Sequence, residues 1–163
     1  MKRKTASHRK KRKRKTFSHQ ATKSTKTHQE ETTMYSGLSE REEFLAKEIV
    51  DAAYKVHKEL GPGLLEKIYE ACFCYELELK DIPFQRQVDL PINYKSKLFF
   101  EEGVRMDVLV DKLVICELKS VLEIHPVWLK QISSHLKLTR LRLGFLINFN
   151  VPLIKDGIKR FIV

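Results

Sequence analysis

The chain has 163 residues, 42% of them hydrophobic, and a formal net charge of +10, which allows one compact domain with a real core plus a tail. Residues 1–38 carry 12 Lys and Arg against Glu30 and Glu31, leaving 19 basic and 19 acidic residues for 39–163, so the net charge is no evidence of a basic face on the folded part. No run approaches the ~18 apolar residues that span a bilayer, and the N-terminus lacks the apolar stretch of a secretory signal.

Cys72, Cys74 and Cys116 have no metal-type spacing. They read as reduced, mostly buried thiols, and the protein is expected in the cytoplasm, or in the nucleus of a host that has one. The tail, with its block Arg9 to Lys15, lacks periodicity and large apolar residues, so residues 1–38 are expected to be disordered. It reads as a polyanion-binding arm, a nuclear address, a plainly solvated tail, or the result of a start placed ahead of Met34.

From 39 to 163 the elements follow in order. Ser39 and Glu42 form a capping-box signature, and Leu45, Ile49, Ala52, Val56 and Leu60 continue at helical spacing. Gly61 to Gly63 should end that helix. A second runs from about Leu64 to Leu79 with Ile68, Cys72, Tyr75 and Leu79 inward. After Pro83 the period becomes two, with Val88, Leu90, Ile92 and Tyr94 alternating with polar residues. Pro91 confines this strand to an edge or a bulge. Leu98 to Phe100 extend or pair it beyond a turn at Lys95 to Lys97. Val104–Val110 and Leu113–Ser120 form a hairpin, Pro126 opens a helix to about Thr139, and Leu143–Phe149 and Ile158–Val163 are strands. The fold class is α/β, a mixed sheet with helices packed on it.

Within that hairpin stand three charges, Asp107, Glu117 and Lys119, and a charge in a strand core is costly unless paired or bound to a metal. Alternation puts Leu113, Ile115, Glu117 and Lys119 on one face. Asp107 joins them only if the loop is odd or a β-bulge intervenes, since a two-residue turn at Asp111-Lys112 faces it away. The chemistry asks for the odd loop or bulge. Two carboxylates on one face suit Mg²⁺ or Mn²⁺, which keep several waters for a phosphate to displace, and Lys119 could orient the water or offset developing charge. A structural salt bridge, Lys119 to Glu117 or Arg105 to Asp107, explains the same residues.

The arrangement "D…ELK", with nine residues between Asp107 and Glu117, is similar to the core signature of the PD-(D/E)XK nuclease superfamily. "GLLEKIY" supplies Gly63, Glu66 and Tyr69 in the pattern GxxExxY, and the blocks "VHKELGPGLLEKIYEACFCYELELKDIPFQRQV", "INYK", "VRMDVLVDKLVICELKSV" and "LRLGFLINFNVPLIKDGIKRFIV" occur in order. From Leu38 to Val163 the chain resembles the GxxExxY protein family. The resemblance implies a restriction-endonuclease-like core, a central four-stranded mixed sheet flanked by helices. It implies metal binding by Asp107, Glu117, Glu66 and the backbone carbonyl of Leu118, assistance to the attacking water by Lys119, and a water- or phosphate-positioning role for Gln131.

Tyr69, Arg105 and His135 are candidate substrate contacts. Glu66 reads equally as a first-turn acid favoured by the helix dipole, Tyr69 as core, and Arg105 as a carboxylate's partner. The implied function is a divalent-metal-dependent nuclease hydrolysing phosphodiester bonds, with nucleic acid as partner (DNA ahead of RNA), no membrane, and room for a homodimer. The alternative is a non-catalytic nucleic-acid- or protein-binding module that kept the fold. The chain departs from the family pattern at Trp128 and His135, where a histidine and a tyrosine are usual, and at Lys130, where the residue is usually small.

Overall fold

The computed structural model describes residues 37–163. Residues 1–36, and with them the reading of the basic tail, lie outside the described residues. The elements are α1 (Glu40–Leu60), α2 (Glu66–Glu78), β1 (Phe84–Tyr94), β2 (Lys97–Val110), β3 (Val114–Lys119), α3 (Pro126–Thr139), β4 (Leu143–Asn148), α4 (Ile154–Gly157) and β5 (Ile158–Ile162). No described helix is long and apolar enough to cross a membrane.

Helix α1 begins at the expected capping box: Ser39 Oγ accepts from the Glu42 N–H, and Glu42 Oε2 accepts from the Ser39 N–H at 2.7 Å. Leu45, Ile49, Ala52 and Val56 are buried as their spacing requires. Helix α2 departs from expectation. It starts at Glu66 and buries Tyr69, Phe73, Cys74 and Leu77, while Ile68, Tyr75 and Leu79 face outward. Apolar residues fall on nearly every side of it, so the spacing of Ile68, Cys72, Tyr75 and Leu79 does not fix the inward face. The parallel stack of Tyr69 on Phe149, 4.6 Å between ring centres, belongs to the stripe that faces the sheet.

The mixed sheet has strand order β1-β2-β3-β4-β5, five strands where the resemblance implied four. The extra strand is an edge: β5 pairs antiparallel to β4 from Leu143↔Ile162 to Ile147↔Ile158. β3 and β4 are parallel, and α3 makes the crossover that a parallel pair needs. β1 lies at the other edge, and its register to β2 shifts between Leu90 and Ile92, so Pro91 sits where an edge and a bulge tolerate it.

One face of the sheet packs Val108, Val110, Val114, Cys116, Leu118, Phe145 and Ile147 against α1 and α2. The other packs Met106, Leu109 and Ile115 against Leu136 of α3. On that side α3 approaches β4 closely, because a Cβ on Gly144 would meet Ile132 and Leu136 at 3.2 Å.

The inward stripe of α2 gives a direct test. Phe73→Ala, at a wholly buried position, should cost about 3–5 kcal/mol by urea denaturation. Tyr75→Ala, on the exposed side, should stay within about 0.5 kcal/mol of wild type. Equal losses would put the core on the wrong face of the helix.

Candidate active site at the end of strand β3

β3 is buried from Val114 to Leu118, and only Lys119 begins to emerge. The β2–β3 ladder runs Val110↔Val114, Leu109↔Ile115, Val108↔Cys116 and stops. Three residues, Asp111 to Leu113, close the hairpin, with positive φ at Asp111 and Lys112, so the connection is odd. Beyond Val108 the strand alternation breaks as well: Met106 and Leu109, three residues apart, share the α3-side cluster. On β1 the facing residue, Gln87, leaves the ladder with φ 51°.

Asp107 sits at this break. The next β3 donor, the Leu118 N–H, gives its hydrogen bond to Asp107 Oδ2 at 2.8 Å. A side-chain carboxylate thus stands in for a ladder carbonyl. The Lys119 ammonium lies 3.4 Å from the same oxygen and donates to the Leu118 carbonyl at 2.7 Å. Glu66 Oε1 is 3.7 Å from it.

Glu66 is the first residue of α2, and its place depends on the preceding loop. Tyr69 Oη donates to the Gly61 carbonyl at 2.6 Å and accepts from the Leu64 N–H at 3.1 Å. Ser120 Oγ donates to the Leu64 carbonyl at 2.6 Å, tying that loop to the end of β3. Behind β3, the Phe149 N–H donates to the Lys119 carbonyl, and the buried Asn148 side chain bonds both the N–H and carbonyl of Val121. The C-terminal end of β3 is therefore braced by α2's loop and by the exit of β4.

Glu117 is buried and bonded to a residue whose role the sequence reading missed. His135, wholly buried on α3, has Nδ1 2.9 Å from Glu117 Oε1. A usable signal existed: one histidine on the apolar Ile132–Leu136 face of a helix, and one glutamate on the apolar strand beside it. Glu70, one turn beyond Glu66, is a second missed acid. It accepts from Arg86 and Gln87, each at 2.7 Å, and so holds the part of β1 opposite Asp107, where Gln87 has positive φ.

The remaining candidates separate. Asp107, Glu66, Lys119 and the Leu118 carbonyl come together, with Glu117 two residues before Lys119 on the strand. Tyr69 is fully buried in the core, which corrects its reading as a substrate contact: its hydroxyl is used by the loop. His135 is also fully buried, so it contacts Glu117 rather than substrate. Arg105 pairs with Asp89 at 3.1 Å on the exposed β1–β2 ribbon. Gln131 is exposed, one turn before His135, with no hydrogen-bond partner among the described residues. Neither salt bridge considered from the sequence forms, because Lys119 turns to Asp107 and Glu66 and Arg105 to Asp89.

Burial pushes the Glu66 carboxyl above its ordinary value, opposed by Lys119 and reinforced by Asp107 and Glu70. Burial likewise raises Glu117, opposed by the His135 hydrogen bond and reinforced by Asp107. A strand end that collects acids, holds two of them against ionisation and sets an amine among them is organised around charge, not around packing.

A family model for the PD-(D/E)XK nuclease superfamily matches residues 43–161. The chain belongs to that superfamily. Searches of curated proteins and of solved structures found no match. The superfamily match spans every described element except the first residues of α1 and the end of β5.

PD-(D/E)XK nucleases usually use divalent metals, and the residues here can be tested for that fit. Among the described residues no three His, Cys, Asp or Glu side chains form a ready cage. Glu66, Asp107 and the Leu118 carbonyl nevertheless already face one positive charge, the Lys119 ammonium. Hard oxygens in that number suit an ion that retains much of its water, so the donor set fits.

Two outcomes follow from this geometry. In chelator, Asp107→Ala should lose about 1–3 kcal/mol, the cost of leaving the Leu118 N–H without an acceptor, and Asp107→Asn, which keeps an oxygen there, should lose less; thermal melts decide. Carboxyls raised by the fold lend stability that is whole below the unfolded value of about 4.3 and is lost as pH climbs through the folded value. The melting-temperature advantage of Glu117→Gln over wild type should therefore grow as pH rises from about 4.3 towards neutrality. A constant difference would mean that burial does not raise the Glu117 carboxyl.

Proposed function

We propose that this chain is a nuclease that hydrolyses phosphodiester bonds of nucleic acid with a bound Mg²⁺ or Mn²⁺, DNA being the first substrate to test. The observation that carries this reading is the Lys119 ammonium, held near both Asp107 and Glu66 and bonded to the Leu118 carbonyl at the surfacing end of a buried strand. Asp107, Glu66, Glu117 and the Leu118 carbonyl would hold the ion. Bound there, it supplies Lewis-acid polarisation of a phosphoryl oxygen and a water of lowered pKa.

The chain's own residues do the rest. Lys119 orients the attacking water and offsets the negative charge that builds on the phosphate, an effect strengthened where the side chain is largely shielded from solvent. Glu66, more open than the other acids, faces the side from which substrate enters. Gln131, on the exposed side of α3, is assigned a contact with the phosphate backbone. The narrower placement in the GxxExxY family draws support from the same local physics: Tyr69 fastens the glycine loop that presents Glu66.

The test incubates the full chain with supercoiled DNA, single-stranded DNA and RNA in Mg²⁺, Mn²⁺ or EDTA. Cleavage should require the ion, and Lys119→Ala should abolish it while leaving metal binding largely in place. Wild-type rates in that variant would end the proposal. Nucleic-acid binding that ignores both EDTA and Asp107→Asn, without cleavage, would instead identify a binding module on a nuclease fold.

A further inference from the structure

His135 poses a problem the catalytic reading leaves unsolved. Its ring is wholly buried, its Nδ1 meets Glu117 Oε1 at 2.9 Å, and its Nε2 is buried with no hydrogen-bond partner. A buried polar atom without a partner costs free energy, so a histidine would be a poor choice if the position served packing alone. Leucine or phenylalanine would fill the Ile132–Leu136 face without that cost.

Donor and acceptor counting fixes what the ring can do once Glu117 is ionised, the form that a cation takes. An ionised carboxylate only accepts, so in that form Nδ1 carries the proton and donates it to Oε1. Nε2 is then a bare lone pair, the milder kind of orphan, since buried N–H groups without partners are the rarer event. The opposite tautomer would leave an N–H stranded. One N–H and one carboxylate oxygen therefore match, and among the described residues no hydrogen bond goes to the other oxygen, Glu117 Oε2.

Placement of the ring is equally determined. Gly144 lets α3 approach β4 so closely that Ile132 and Leu136 would touch any added Cβ, and His135 lies between them in sequence on the same helix. β4 runs parallel to β3 with Leu146 opposite Glu117. The helix thus stands at a fixed height above Glu117.

We propose that His135 is a positioning residue: by donating from Nδ1 to Glu117 Oε1 it fixes the Glu117 carboxylate so that Oε2 is the oxygen offered to a cation. This rests on the metal-centre reading given above and assigns the orienting of one ligand to a residue of α3. Partners that orient ligating groups typically change metal affinity by 10–100-fold when removed.

The experiment measures Mn²⁺ binding to the full chain by titration calorimetry, without nucleic acid, for wild type, Glu117→Gln and three variants at 135. His135→Asn can place an amide N–H close to where Nδ1 stood and should keep the wild-type affinity. His135→Gln, whose amide reaches instead toward the Nε2 position, and His135→Phe, which keeps volume without a donor, should each weaken it by about 10–100-fold. Melting curves in EDTA report whether each variant folds. A second readout, independent of metal and of any substitution, is the imidazole proton resonance of wild type in EDTA, expected as a slowly exchanging, hydrogen-bonded Nδ1–H.

Affinity unchanged in His135→Gln and His135→Phe, while Glu117→Gln weakens binding, overturns the role of His135 alone. Absence of the protected Nδ1–H resonance overturns it too. Failure of wild type to bind Mn²⁺ overturns the metal centre and this inference together, so the two failures are told apart.

Discussion

The hydrogen bond from the Leu118 N–H to Asp107 Oδ2 is the constraint from which the site follows. In a regular antiparallel ladder that donor would meet a backbone carbonyl of β2. Because a carboxylate takes it, β2 can leave the β3 ladder at this point without leaving a buried donor unpaired, an omission that costs about 1–3 kcal/mol. The break in alternation, the positive φ of Gln87 opposite and the end of the β2–β3 ladder all gather around one residue. The same oxygen also faces Lys119. The irregularity of the sheet and the clustering of charge are thus one feature, and Asp107 serves both.

Two helices then bring their contributions from opposite sides of β3. From the α1–α2 side comes Glu66, set by a loop that Tyr69 and Ser120 hold. From the α3 side comes His135, set by the close approach over Gly144. Each helix pins its site residue through a well-packed apolar contact one turn away, Tyr69 on Phe149 and Ile132 over Gly144. Site geometry of this kind inherits the rigidity of the core, and the charged residues need not stabilise anything themselves.

Much of this was legible in the sequence, and the limits have physical causes. The capping box, the edge position of Pro91 and the need for an odd hairpin loop before β3 follow from local rules of turn and alternation, although the loop falls at Asp111 to Leu113. The inward face of α2 did not, because a helix apolar all round carries no phase until its neighbours are known. Tyr69 stayed open between core and substrate contact for a related reason: its hydroxyl is satisfied by an amide and a carbonyl five and eight residues earlier, a local loop geometry that composition does not reveal. The Glu117–His135 pair was missed because it spans two elements whose register depends on how close α3 can come to β4. A glycine at 144 hinted at that approach, but it takes a partner helix to give the hint meaning.

What satisfies each charge, more than distance, separates a functional cluster from a structural one. Ion pairs that brace elements include Arg86 to Glu70 and Arg41 to Asp111, both at 2.7 Å, and Lys55 to Glu76 at 3.5 Å, each cation meeting a carboxylate first. Lys119 is different. Its close bond is to a neutral carbonyl at 2.7 Å, and its two carboxylates stand off at 3.4 and 3.7 Å. Three acids and one amine in a partly desolvated corner are short of positive charge, and burial already holds Glu66 and Glu117 back from ionising. A corner built for stability would use apolar residues, which serve at least as well as buried charges. An arrangement that is locally unfavourable, short of positive charge and braced from three sides by good packing is better explained by what it can bind than by what it holds together.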